Sequence, residues 1–259
     1  MRFTTMGRAL ALAGALALAG ALAAAVPALA AAEVFRDIAS VTVTTFFDGS
    51  WRVETTDVFL ARIIPNLTAQ ARITRLDSPG WFQHTFFLGP VASFTDTIYA
   101  GAVYGLGMDS AGLFTHEVNV DVNYETASTA TSLGLKADWF PGSGYSYYLP
   151  SVSGKFHPLP ALGLFGKFFL SIDSAGVVTE SFWGEADYAF SPLFRARAGF
   201  TFSRAAAFGY SVIAGIDLSF SAAFALKYSL QYLSDSVEYL AAPQPRSGIV
   251  NALIIDVRF

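Results

Sequence analysis

After Glu33 the side chains alternate between apolar and polar with a period of two, segment after segment, almost to the end of the chain. That period confines them to β-strands with one apolar face. Phe114, His116, Val118, Val120, Val122 and Tyr124 share one side of such a segment, and Thr115, Glu117, Asn119, Asp121 and Asn123 share the other. Leu133, Leu135, Ala137 and Trp139 alternate in the same way with Ser132, Gly134, Lys136 and Asp138. Tyr210, Val212, Ala214, Ile216, Leu218 and Phe220 oppose Ser211, Gly215, Asp217 and Ser219. Each segment runs to about ten residues, the length a tilted strand needs to cross a bilayer, whereas soluble strands are usually about five or six. Aromatic residues near strand ends, such as Tyr210 with Phe220 and Phe224 with Tyr232, suit the girdles of a membrane barrel. After Glu33 there is no sustained i, i+3, i+4 pattern and no run of eighteen apolar residues, so neither amphipathic nor membrane-spanning helices are expected.

Turn chemistry divides the pattern. Asp-Ser-x-Gly occurs at Asp77, Asp109 and Asp173, where Asp and Ser favour the first turn positions and Gly supplies a positive φ. Further breaks fall at Asp48-Gly49, Pro65-Asn66, Gly89-Pro90, 125–128, 141–144, 158–160, Ser191-Pro192, 205–209, Ser221-Ala222 and 234–248. Thirteen connections give fourteen antiparallel strands in an all-β, up-and-down transmembrane barrel. Every Asp-Ser-x-Gly turn and the longest loop, 234–248, then fall on one rim. External loops are the longer ones in such barrels, so that rim is assigned to the outside. Two stretches fit poorly and leave twelve strands as an alternative. Residues 81–88 are apolar on both faces, and in 51–63 the alternation puts Asp57 toward lipid unless a bulge shifts the phase.

The first 32 residues belong to another category. Arg2 and Arg8 precede an uncharged run from Ala9 to Ala32, and Ala28-Leu29-Ala30 has the small-x-small form of a cleavage site. They are expected to be a cleaved signal peptide, leaving 33–259 as the barrel. Without Arg2 and Arg8, 14 basic residues face 20 acidic ones, a net charge of −6. An acidic chain is not a nucleic-acid binder. A chain that is 53% apolar and only 14% charged is not a disordered one. Cysteine is absent, which excludes disulfides, a thiol nucleophile and thiolate metal ligands.

These features together resemble bacterial outer-membrane β-barrel proteins of the general porin-like class, with a layout similar to YaiO-like barrels. The resemblance rests on the signal peptide, the ten-residue amphipathic strands and the ending Ile254-Ile255-Asp256-Val257-Arg258-Phe259. It implies an outer-membrane location, contact with outer-membrane lipid, and recognition of the terminal Phe259 by the barrel-assembly machinery. The chain is shorter than general trimeric porins and has no long inward-folding loop of their kind. Oligomeric state does not follow from the sequence.

Function is read from the polar face. Parity places Glu117, Asp121, Lys136, Asp138, Lys155, Lys167, Glu185, Asp187, Arg195, Arg197, Asp217, Lys227, Asp256 and Arg258 inward, seven acids and seven bases. A turn centred on Ser191 sets Asp187 opposite Arg195 and Glu185 opposite Arg197; one centred on Ala222 sets Asp217 opposite Lys227. The functional reading is a charged, water-filled passage for small polar solutes or ions. The competing one is a neutralised network that fixes register and fills the lumen. Phe165, Phe169 and Trp183 also point inward, so part of the lumen is expected to be apolar or narrowed. An enzyme would have to be built from His84, His116 and His157. His116 shares the lipid side with Phe114 and Val118, and no His-x-Ser-Asn run or metal-ligand spacing accompanies any of the three. No cofactor, metal site or catalytic residue is therefore expected. A structural or surface-binding barrel is the remaining alternative, with 234–248 as its one sizeable loop.

Overall fold

The computed structural model describes residues 35–204, 207–234, 238–239, 242–243 and 247–258; the expected signal peptide and Phe259 lie outside them. The first seven strands are β1 (Phe35–Phe46), β2 (Trp51–Ile64), β3 (Leu67–Ser78), β4 (Trp81–Ser93), β5 (Ile98–Asp109), β6 (Phe114–Glu125) and β7 (Thr129–Phe140). They are followed by β8 (Tyr145–Leu159), β9 (Leu162–Asp173), β10 (Val178–Ala189), β11 (Phe194–Arg204), β12 (Phe208–Ser221) and β13 (Phe224–Leu233). The long connection carries a two-stranded hairpin of β14 (Glu238–Tyr239) and β15 (Ala242–Pro243), and β16 (Gly248–Arg258) ends the barrel. Each long strand pairs antiparallel with its neighbours, and β1 pairs with β16. The sheet is therefore a closed barrel of fourteen strands, which leaves no unpaired edge.

The two rims use different turn chemistry. At the rim opposite the chain ends, here the loop rim, Gly49, Gly80, Gly112, Gly144 and Gly176 all have positive φ, 67° to 85°. Asp109 Oδ1 accepts from the backbone N–H groups of Ala111 and Leu113, both at 2.9 Å, and Asp173 repeats this with Ala175 and Val177. At the terminal rim, where β1 begins and β16 ends, hydroxyls replace the carboxylates. Thr95, Thr126 and Ser191 each accept from a backbone N–H three residues on, at 3.0–3.1 Å.

One connection is not where the turn signals put it. Gly89-Pro90 lies inside β4, and the chain turns instead at residues 94–97. Both residues remain paired with β3, Gly89 opposite Gln70 and Pro90 opposite Ala69. Only the ladder to β5 skips them. Proline lacks the N–H that one ladder needs, but the other continues and the strand survives.

The apolar content is turned outward. Leu88, Leu133 and Phe86 are 67%, 64% and 59% exposed, whereas the opposite face buries Ser203, Ser211 and Thr44 to 1%. Register continues from Ala61 to Val53 without a bulge, so Asp57 does face outward, level with Ala39 and Ile73. Asp37 stands on the same face one diagonal step away, and the two carboxylates interact.

Candidate functional site

Two ion-paired networks line the inner wall, one nearer each rim. Toward the terminal rim, Asp187 on β10 binds Lys155 of β8 at 3.1 Å and Arg195 of β11 at 2.7 Å. Arg197 reaches Glu185 at 4.0 Å and Asp217 of β12 at 3.5 Å. The lysine spans β9 because the residue between is Gly163, where a Cβ would overlap the Asp187 carboxylate. Gly215 does the same for Arg197, whose Nε lies 2.7 Å from where a Cβ would stand. Inward glycines are thus the slots in which long charged side chains lie flat against the wall.

The register here differs from a turn centred on Ser191. Asp187 is opposite Arg197, and Arg195 is opposite Ala189, so the pairing is displaced by two residues. The Asp187–Arg195 and Glu185–Arg197 pairs form all the same, on the diagonal, because arginine is long enough to reach across it. In β12 and β13 Asp217 is opposite Lys227, as a turn at Ala222 requires, but its ion pair is with Arg197.

Nearer the loop rim the second network spans more of the circumference. Arg72 on β3 binds Glu117 on β6 at 3.1 Å, three strand spacings or about 14 Å along the wall. Two smaller features make that reach possible. Gly105 of β5 has no side chain, and the Phe87 ring fills the space a Cβ would need. The Arg72 guanidinium then lies 3.6 Å above that ring. Glu117 also accepts from Asn119 at 2.6 Å and pairs with Lys136 at 3.3 Å, and Lys136 pairs with Asp138 at 3.0 Å. Glu54 of β2 feels Arg52, Arg72, Lys136 and Glu117.

Replacing Gly105 by Val should lift Phe87 off the wall and separate Arg72 from Glu117. The expected cost is about 1–3 kcal/mol in urea unfolding, as for overpacking. Gly105→Val together with Phe87→Ala should recover most of it; a single variant as stable as the parent would show that the slot does not matter.

At the seam where β1 meets β16, Arg36 grips Asp256 with two hydrogen bonds of 2.9 and 2.6 Å, and Arg258 approaches the same carboxylate at 3.6 Å. Of the remaining polar-face residues, Asp121 accepts a hydrogen bond from Asn123. Lys227 acts on Asp256 through its charge. Lys167 lies on the aromatic stretch of the wall, 5.8 Å from the Phe169 ring centroid, in an ion pair with no described residue. Arg36, Arg52, Glu54 and Arg72 join these networks and were missed by the sequence reading. Arg52 and Glu54 share β2 with the outward Asp57, which leaves parity without a clean phase there, and the pairing of β1 with β2 is what sets Arg52 and Glu54 opposite the inward Thr44 and Thr42.

The three histidines are not brought together. His116 is on the outer face, hydrogen-bonded to Tyr104 at 2.6 Å, and His84 is on the same side against Phe82. His157 is near the terminal rim, by the turn at 160–161. Among the described residues no group of three potential metal ligands occurs.

No protein-family model matches this sequence, and the search of curated proteins finds no relative. Solved structures do share its architecture. The toluene transporter TbuX of Ralstonia pickettii is similar over 88% of this chain and 90% of its own, with a TM-score of 0.60 at 9% identity. A bacterial polysaccharide outer-membrane secretin is similar over 88% of this chain and all of its own, with a TM-score of 0.59 at 10% identity. An anion-selective porin from Comamonas acidovorans is similar over 87% and 98%, with a TM-score of 0.51 at 10% identity. At such identities the likeness establishes the fold, which is that of bacterial outer-membrane β-barrels.

Proposed function

We propose that this protein is a porin-like channel of the bacterial outer membrane, through which small polar solutes or ions diffuse passively. The observation that carries this reading is a closed barrel with an apolar exterior and an ion-paired inner wall, on which the Lys155–Asp187 and Arg197 contacts lie over Gly163 and Gly215. Size agrees: fourteen strands spaced about 4.8 Å and tilted about 40° give a backbone radius of ~14 Å. Eight-stranded barrels, by contrast, are filled by their own side chains. Translocation needs no cofactor, metal or catalytic residue, and solutes would move among Glu117, Lys136, Lys155, Glu185, Asp187, Arg195, Arg197 and Asp217. The outer aromatic and aliphatic band would contact outer-membrane lipid. The terminal strand ending in Phe259 would present the chain to the barrel-assembly machinery, after loss of residues 1–32.

Planar-bilayer recording of the refolded barrel tests this reading. Discrete single-channel steps are expected, and a barrel that is folded by circular dichroism yet gives no steps would overturn it.

A further inference from the structure

Resting on the channel reading, we propose that the wall around Lys167 is a binding subsite for small aromatic carboxylates. Almost every charged side chain on the inner wall has an opposite charge beside it, and Lys167 departs from that rule. It sits at the middle of β9, opposite Ser153 on β8 and Trp183 on β10. Among the described residues no carboxylate pairs with it, and its Nζ lies over the Phe169 ring, 5.8 Å from the centroid. The neighbours explain this. Phe165 and Trp183 stand edge to face with centroids 5.1 Å apart, and Trp183 packs on the buried cluster of Tyr147, Leu149 and Phe169.

A partly desolvated cation on an aromatic wall therefore has an unmet charge that a passing anion can satisfy. The same wall offers ring faces, so the anion best matched carries a ring of its own. A carboxylate would take a charge-assisted hydrogen bond from Nζ, and its ring would pack against Trp183 or Phe165. A simple inorganic anion meets only the charge, and a neutral aromatic meets only the wall. Ser151, Ser153 and Ser181 flank the aromatics with hydroxyls, and no acid of these strands directly opposes Lys167 to repel the ligand.

Benzoate is the probe, with acetate and benzyl alcohol as its two halves. Titrated into the refolded barrel, benzoate should quench the part of the tryptophan emission that a Trp183→Phe variant lacks, and should interrupt single-channel current at the same concentrations. Lys167→Met should weaken both effects about tenfold, the usual scale for a hydrogen bond to a charged group, with the barrel still folded. Acetate and benzyl alcohol should each act at least about tenfold more weakly than benzoate. Equal action of acetate, or a Lys167→Met barrel that responds to benzoate as the parent does, would overturn the subsite. Conductance steps that benzoate leaves untouched would sink the subsite and leave the channel standing. Saturable quenching in a barrel that never conducts would do the reverse.

Discussion

Reversing Arg195 and Arg197 to glutamate together should shift permeation through the proposed channel toward cations, with the cation-to-anion permeability ratio rising about tenfold. In the network around Asp187 and Arg197, Lys155, Arg195 and Arg197 balance Glu185, Asp187 and Asp217, three charges of each sign. The double reversal leaves one base, Lys155 on β8, against five acids on the adjoining strands β10, β11 and β12. Screening does not hide such a change, since both side chains are partly buried on the inner wall, where charges are screened less than on an exposed surface. Barrel stability should fall as well, but less steeply. Each lost pair is diagonal and partly exposed, and pairs of this kind contribute about 0.2–1 kcal/mol. The measurement is the reversal potential across a salt gradient, with the neutral Arg195→Gln, Arg197→Gln variant expected midway. If the urea midpoint drops and the reversal potential stays in place, the network holds register and does not tune the passage.

That test is needed because parity and partnership are read with different ease. Which face a residue occupies depends only on counting by two from a neighbour, and the long clean segments such as 114–124 and 210–220 give that face directly. Which residues touch depends on strand register, and a turn centred one residue away from its expected position displaces every opposed pair by two. The Ser191-Pro192 turn does this, and only the reach of arginine keeps Asp187 with Arg195. Partners three strands apart, such as Arg72 and Glu117, depend on a glycine and a phenylalanine between them that no local pattern connects. The misplaced fourth connection has a similar cause. Gly89-Pro90 is the stronger punctuation in the sequence, yet Thr95 makes the turn through a hydroxyl, as Thr126 and Ser191 do on the same rim. Glycine and proline show where a ladder is interrupted, which is not always where the chain reverses.

The seam between the first and last strands should be the barrel's most sensitive point, and Asp256 its most sensitive side chain. All other neighbouring strands follow one another along the barrel, each pair joined by its own connection, whereas β1 and β16 meet only when the barrel closes. Register sets Arg36 directly opposite Arg258 there, two cations facing each other, with Asp256 one step along and 5% exposed. Its carboxylate takes both hydrogen bonds from Arg36 and the approach of Arg258, so it offsets a repulsion that the pairing itself creates. Asp256→Ala should lower stability by about 2 kcal/mol, below the range for a fully buried pair because Arg36 is one-third exposed. Asp256→Asn keeps a hydrogen-bond acceptor and should lose about half of that. Arg36→Met is the diagnostic partner, because Arg36 donates both hydrogen bonds to that carboxylate. In a double-mutant cycle, Arg36→Met should therefore cost clearly less beside Asp256→Ala than in the parent. Urea midpoints and the folded fraction after refolding into lipid read both effects. Additive losses would mean that the seam is closed by its backbone ladder alone, with the ion pair a bystander.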